Sequence, residues 1–177
     1  NLKPMNFKLI IASCFFLIFT LQVKSQNFDL GKVSLSELKE KLHPEDSTAN
    51  AAILCKKGRT YFTYFHKKGF VANHEIQIRI KIYKKEGLKW ANFQVPYYTG
   101  YENINDDAVD FSEVVTYNIE NGKIIKTKLS TEGAFKEKVK ENWKKATITM
   151  PNVQVGSVIE FKYVIKSENL VKFPVFN

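Results

Sequence analysis

Cysteine is scarce in this chain, with only Cys14 and Cys55 among 177 residues, and histidine is nearly as rare at three. A framework of internal disulfides is excluded once Cys14 is assigned to a leader segment, because Cys55 then stands alone. His43, His66 and His74 share no short ligand spacing with each other or with Cys55, so no zinc motif is present. Phosphate-cradling glycine loops are lacking as well. The one long apolar run, Leu9 to Leu21, falls short of the ~20 residues a bilayer-spanning helix needs.

That run follows Met5, Asn6, Phe7 and Lys8 and closes at Val23, Lys24 and Ser25, before Gln26. A positive start, an apolar middle and a small-residue exit make a secretory signal peptide over residues 1–25, with cleavage expected before Gln26. Asn1 to Pro4 precede the candidate start Met5 and are read as an upstream artefact. An uncleaved anchor, or lipidation at Cys14 through Ile11-Ala12-Ser13-Cys14, are the alternatives for this segment. Export places the expected site of action in the periplasm or the secreted outer envelope, with membrane contact only during export.

Residues 26–177 are enough for one domain and too few for two. Losing Lys3, Lys8 and Lys24 lowers the formal charge from +9 to +6. Acids interrupt the densest lysine stretch, Lys136 to Lys145, at Glu137 and Glu141, so it reads as a solvated face and not as a nucleic-acid site.

One helix is signalled near the start of that domain. Ser34 stands at an N-cap with Glu37 three residues on, and Leu35, Leu38 and Leu42 share a side, predicting a helix over 35–42 that stops near Pro44. Beyond Asp46 the pattern alternates. Strands are predicted at Ile53 to Lys57 and Thr60 to His66 around a Gly58-Arg59 turn, then at His74 to Lys85. In the last of these Ile76, Ile78, Ile80 and Ile82 form a core face, with Glu75, Gln77, Arg79 and Lys81 on a wet one.

Glu86-Gly87 is read as a turn into a strand from Leu88 to Val95, followed by a loop from Pro96 to Asp107. Val109 to Ile119 and Lys123 to Leu129 flank Asn121-Gly122, the strongest hairpin signal in the chain. Phe135 to Trp143 is read as a weak helix or irregular connection. Ala146 to Met150 and Val158 to Lys166 are expected to pair, with Glu160 on the wet side, and Trp90 and Trp143 are expected to anchor the core. About eight short strands at this spacing predict a mainly β domain, an antiparallel sandwich or open barrel with one short N-terminal helix.

No constellation of residues declares a chemistry or a cofactor. Cys55 lies in an apolar strand with no helix N-terminus to activate it and reads as an inert buried thiol. A candidate ligand surface is the loop with Tyr97, Tyr98 and Tyr101 beside Asp106, Asp107 and Asp110, where rings could stack on sugar and carboxylates could hold calcium. That loop lacks the glycine and distal glutamate of an EF-hand.

Several stretches carry a resemblance by their order and spacing: Asp46-Ser47-Thr48-Ala49-Asn50-Ala51, Arg79-Ile80-Lys81-Ile82, Gly87-Leu88-Lys89-Trp90-Ala91, Tyr117-Asn118 with Asn121-Gly122-Lys123, and Met150-Pro151-Asn152-Val153 before Gly156-Ser157-Val158-Ile159-Glu160-Phe161. Together, from about Ser36 to Asn177, they resemble the N-terminal domain of unknown function that precedes the core of exported bacterial transglutaminase-like proteins. The resemblance implies a non-catalytic, β-sandwich-like accessory domain whose partner is a downstream transglutaminase-like module in the same chain. The apolar end from Phe173 to Asn177, with no helix cap or polar tail, is itself read as a truncation. The alternative from the residues is an independent module binding envelope glycan or protein.

Overall fold

The computed structural model describes residues 28–100, 106–130 and 133–170; the predicted signal peptide lies outside them. Two antiparallel sheets are stacked on one another, and there is no closed barrel among the described residues. The larger sheet holds β1 (Ala51–Phe65), β2 (Gly69–Ile82), β8 (Val158–Ser167), β4 (Ala108–Glu120) and β5 (Lys123–Lys128), in that spatial order. The smaller holds β3 (Asn92–Tyr98), β7 (Trp143–Thr149) and β6 (Ala134–Lys140). A mainly β sandwich of eight strands is thus what the alternating pattern builds.

The core forms where the alternation predicts it. Ile76, Ile78, Ile80 and Ile82 of β2 and Ile159 and Phe161 of β8 share one face of the large sheet, and Ile148 and Met150 of the small sheet's side close over them. Val95, Tyr97, Ala146, Val109 and Ile165 extend this layer. Each fully buried aliphatic side chain contributes roughly 1.5–3 kcal/mol through its removal from water.

Local rules explain the ends of the elements. Helix α1 (Leu35–Lys39) starts at Ser34, whose Oγ accepts from Glu37 N while Ser34 N donates to the Glu37 carboxylate at 2.6 Å. It ends three residues before the expected Leu42, and Leu42 is exposed. Asn121 (φ 50°) and Gly122 (φ 75°) supply the two left-handed residues that a tight β4–β5 hairpin requires.

Several expectations need correction. Gly58-Arg59 is not a turn: Gly58 faces Ile76 within one 15-residue strand, and the hairpin closes at Gly69 (φ 77°), where the left-handed backbone that glycine tolerates is needed. Residues Lys85–Ala91 form a 3-10 turn, not a simple turn into a strand. Phe135 to Trp143 is neither helix nor irregular but strand β6 with its turn into β7; the residues of β6 are all exposed, so no apolar face marked it. The strands β7 and β8 do not pair. They belong to different sheets, β7 between β3 and β6, β8 between β2 and β4. Trp90 does pack against the core, whereas Trp143 is exposed and meets Tyr98 edge-on at 5.8 Å.

Candidate functional site

One end of the face of the large sheet turned away from the small sheet is not wet. A strap formed by residues 28–40, including α1, covers it, and Arg79, Lys81 and Glu160 are almost wholly removed from solvent. Along β2 the period of two places Arg79, Lys81 and Tyr83 on that same side, and each grips the strap at a different point. The Arg79 guanidinium donates to Glu37 Oε1 at 2.7 Å and to the carbonyls of Asp29 and Lys32 at 3.0 and 3.2 Å. Lys81 Nζ donates to Leu38 O, near the helix C-terminus, at 2.8 Å and to Gly156 O at 2.6 Å. Tyr83 OH donates to the Glu40 carboxylate at 2.5 Å.

Glu160 completes the cluster from β8, directly across from Arg79 in register. Its Oε1 accepts from Arg79 Nε at 2.6 Å, and its Oε2 accepts from Gly31 N at 2.8 Å. The Phe28 ring lies over the guanidinium at 4.9 Å. Between these fastenings Val33 and Leu38 pack on Val115, Tyr117 and Val158, a second and smaller apolar cluster. Val33 and Leu38 are therefore what seat the strap, and the charges set where along the sheet it sits.

Burial and partners move the protonation of this cluster. Burial brings the Lys81 ammonium down to about 8, with Glu40 and Glu37 pulling the other way. Burial works to raise Glu37, but hydrogen bonds from Ser34 and the Arg79 guanidinium hold it below the usual carboxylate range. The Tyr117 and Tyr83 phenols are pushed well up, first by burial and then by Glu160 and Glu40 respectively.

Two cavities flank the strap. One of about 430 Å³ lies between Leu30 and Gly31 and strands β4 and β5, where Lys126 Nζ sits 5.3 Å from the Tyr117 ring centre and donates to Gly31 O. The other, about 530 Å³, opens beside Phe28, Glu37, Cys55 and Arg79. Cys55 is half-buried there, opposite Arg79 in register; burial pushes its thiol up against the pull of Arg79 and Lys57.

The candidate ligand surface is dispersed. Tyr97 is buried in the inter-sheet core, and Tyr98 is half-buried against Trp143. Asp110 is exposed and holds Lys166 at 2.9 Å and Lys136 at 3.6 Å. Asp106 and Asp107 are half-buried near the β3–β4 connection, and Tyr101 lies outside the described residues. Among the described residues no group of three or more His, Cys, Asp or Glu side chains converges as a metal site.

The alternation predicts Arg79, Lys81 and Glu160 on a wet face, and the strap above them corrects this. One signal pointed there: a capped helix with an apolar side seeks cover for it, and although Leu35 and Leu42 stay exposed, Leu38 finds that cover on the polar side of the sheet. The stretches that carry the resemblance are likewise tied together by the fold. Asn118 donates to Asn152 O at 2.9 Å and accepts from Ser157 Oγ at 2.5 Å, joining Tyr117-Asn118 to the two motifs around the β7–β8 connection. Asn50 O accepts from both Tyr83 N and Lys84 N.

Comparison with known proteins adds the following. No curated protein matches the sequence. The solved structure of a candidate protease from Parabacteroides distasonis is similar over 67% of this chain and 23% of its own, at 12% identity and a TM-score of 0.46. This chain therefore spans less than a quarter of that protein's length. The model of the family described as a domain of unknown function with solved structure, DUF3857, matches residues 72–175. That stretch runs from within β2 to beyond β8 and holds Arg79, Lys81, Tyr83 and Glu160, while the strap they grip precedes it. With more than half of its length matched, the chain belongs to the DUF3857 family of domains.

Proposed function

We propose that this chain is a non-catalytic accessory domain of a longer exported protein, standing ahead of a transglutaminase-like module and positioning or binding on its behalf in the periplasm or outer envelope. The observation that carries the reading is how the buried polar groups are used. Arg79, Lys81, Glu160 and Glu37 are saturated by one another and by strap and loop carbonyls, leaving them committed to architecture. A group that must exchange protons or attack a substrate needs access to it, and Arg79, Lys81 and Glu160 are turned to the strap and away from solvent. Cys55, with its thiol pushed up, is in the wrong electrostatic setting for a nucleophile.

An independent glycan- or protein-binding module on the tyrosine and aspartate loop draws less support, because Tyr97 is buried and Asp110 is engaged by two lysines. Reading the gene beyond Asn177 tests the leading proposal. An in-frame Cys-His-Asp core of transglutaminase type supports it; a stop codon or an unrelated module overturns it. Alkylation of Cys55 tests the non-catalytic part, with slow, denaturant-dependent labelling expected and rapid labelling of the native domain contrary to it.

A further inference from the structure

We propose that the tip of the β1–β2 hairpin is a docking surface for an anionic lipid bilayer. Pairing of β8 with β2 reaches no further than Ala72 opposite Ser167, so from Val71 outward the two strands run on as a ribbon with each other for company among the described residues. On that ribbon Phe62, Tyr64, Phe65 and Phe70 are 53%, 61%, 49% and 56% exposed. Phe62, Tyr64 and Phe70 share one face by register, Tyr64 and Phe70 touching edge-to-face at 5.3 Å. Four large aromatics left in water at the end of a projecting element are costly unless a partner covers them.

The charge around them selects the partner. Between Asp46 and Glu75 the chain contains no acid, while Lys56, Lys57, Arg59, Lys67 and Lys68 are all cationic. Lys67 and Lys68 occupy the turn itself, beside the rings. The acids that approach are Glu75, which holds Arg59 through two hydrogen bonds at 3.0 and 3.1 Å, Glu168, which pairs with Lys68 at 2.8 Å, Asp29 on the side of Lys57, and Asp106; Lys67 has none of these against it and stands at the turn beside the rings. A second copy of the same hairpin would bring like charges together along the exposed edge of β1, which argues against self-association. An anionic bilayer interface offers negative headgroups for the lysines and an acyl boundary for the rings within a few ångströms of each other. A protruding wedge suits such a surface better than it suits a groove on a folded partner.

The test uses residues 26–177, which contain every described element, so that the apolar run at Leu9 to Leu21 does not contribute. Sedimentation with vesicles of phosphatidylcholine alone is compared with phosphatidylcholine mixed with phosphatidylglycerol, at low and high salt. The expected result is binding to the anionic vesicles that weakens with salt. Phe62→Ser/Phe65→Ser/Phe70→Ser should weaken it by more than about tenfold, and Lys67→Gln/Lys68→Gln by about tenfold, with unchanged urea midpoints showing both variants folded. Should the triple variant prove unstable, the lysine pair decides alone. Absent binding, equal binding to both vesicle types, indifference to the lysine changes, or dimerisation through the hairpin would each overturn the proposal. None of these outcomes depends on what the gene encodes after Asn177, so this inference and the accessory-domain reading stand or fall separately.

Discussion

The two faces of the large sheet are built from the same strands by opposite means. Toward the small sheet, Ile78, Ile80, Ile159 and Phe161 interlock through contacts that carry no direction. Toward the strap, Arg79, Lys81 and Glu160 alternate with them, residue by residue, and make contacts that are all direction. The apolar face supplies driving force, since burial is favourable in any arrangement that excludes water. The charged face supplies little net energy, because removing ions from water offsets most of what their pairing returns. What it does supply is a unique seat: the strap cannot slide by a residue without stranding a guanidinium, an ammonium and a carboxylate.

That contrast can be broken most sharply at neighbouring residues. Glu160→Ala should cost about 3–5 kcal/mol in urea unfolding, because it leaves Arg79 buried with part of its pairing gone. Phe161→Ala, one residue on and facing the other way, should cost a similar 3–5 kcal/mol through the cavity it leaves. The two differ in rescue. Replacing Arg79 and Glu160 together by Met and Leu should recover most of the loss while loosening the strap, seen as faster proteolysis within residues 28–40; an equally destabilised double variant would refute the account.

Next in size is a dependence on pH. Lys81 titrates near 8 when folded and near 10.5 when free, so between those values the unfolded chain holds more protons and stability rises with pH. The gain should be on the order of 2 kcal/mol, and Lys81→Met should abolish it. Cys55, Tyr83 and Tyr117 work in the opposite sense because their folded values are raised, so above pH 9 to 10 the curve should turn down. On the acid side Glu37 is held low, and its contribution should disappear as pH falls through that lowered value.

Smaller effects sharpen the picture. Ser34→Ala should cost about 1 kcal/mol by removing the cap of α1, and protease sensitivity should rise in the strap before global unfolding changes. Glu137→Gln should change stability by less than about 0.5 kcal/mol, since its partnership with Lys145 is at the surface of the small sheet. A larger loss there would mean that the small sheet relies on charge after all.

Where local chemistry decides the outcome, the sequence was readable. Ser34 with Glu37 produced the capping box, Asn121-Gly122 produced the hairpin, and the isoleucine alternation in β2 found the core face. Where a distant segment decides, it was not. Arg79, Lys81 and Glu160 look like solvent-facing charges until the strap arrives from some 40 to 130 residues away in sequence. Gly58 resembles a turn because nothing local says that β1 continues past it. The strand β6 has lysines at every second place and no buried side to reveal its period. Tyr97 illustrates the reverse error: its ring reads as a ligand platform, and the register of β3 turns it inward.

One irregularity in β1 governs more than its size suggests. Ile53 faces Ile80 and Cys55 faces Arg79, so Leu54 is an extra residue that shifts the phase of everything beyond it. Were Leu54 paired as an ordinary rung opposite Arg79 instead of bulged out, the outer ribbon would be turned inside out. Arg59 would part from Glu75, Thr60 from His74, and Phe62 and Tyr64 would change sides while Phe70 stayed behind. A single inserted residue thus acts as the clutch between the half of the hairpin that belongs to the domain and the half that reaches outward.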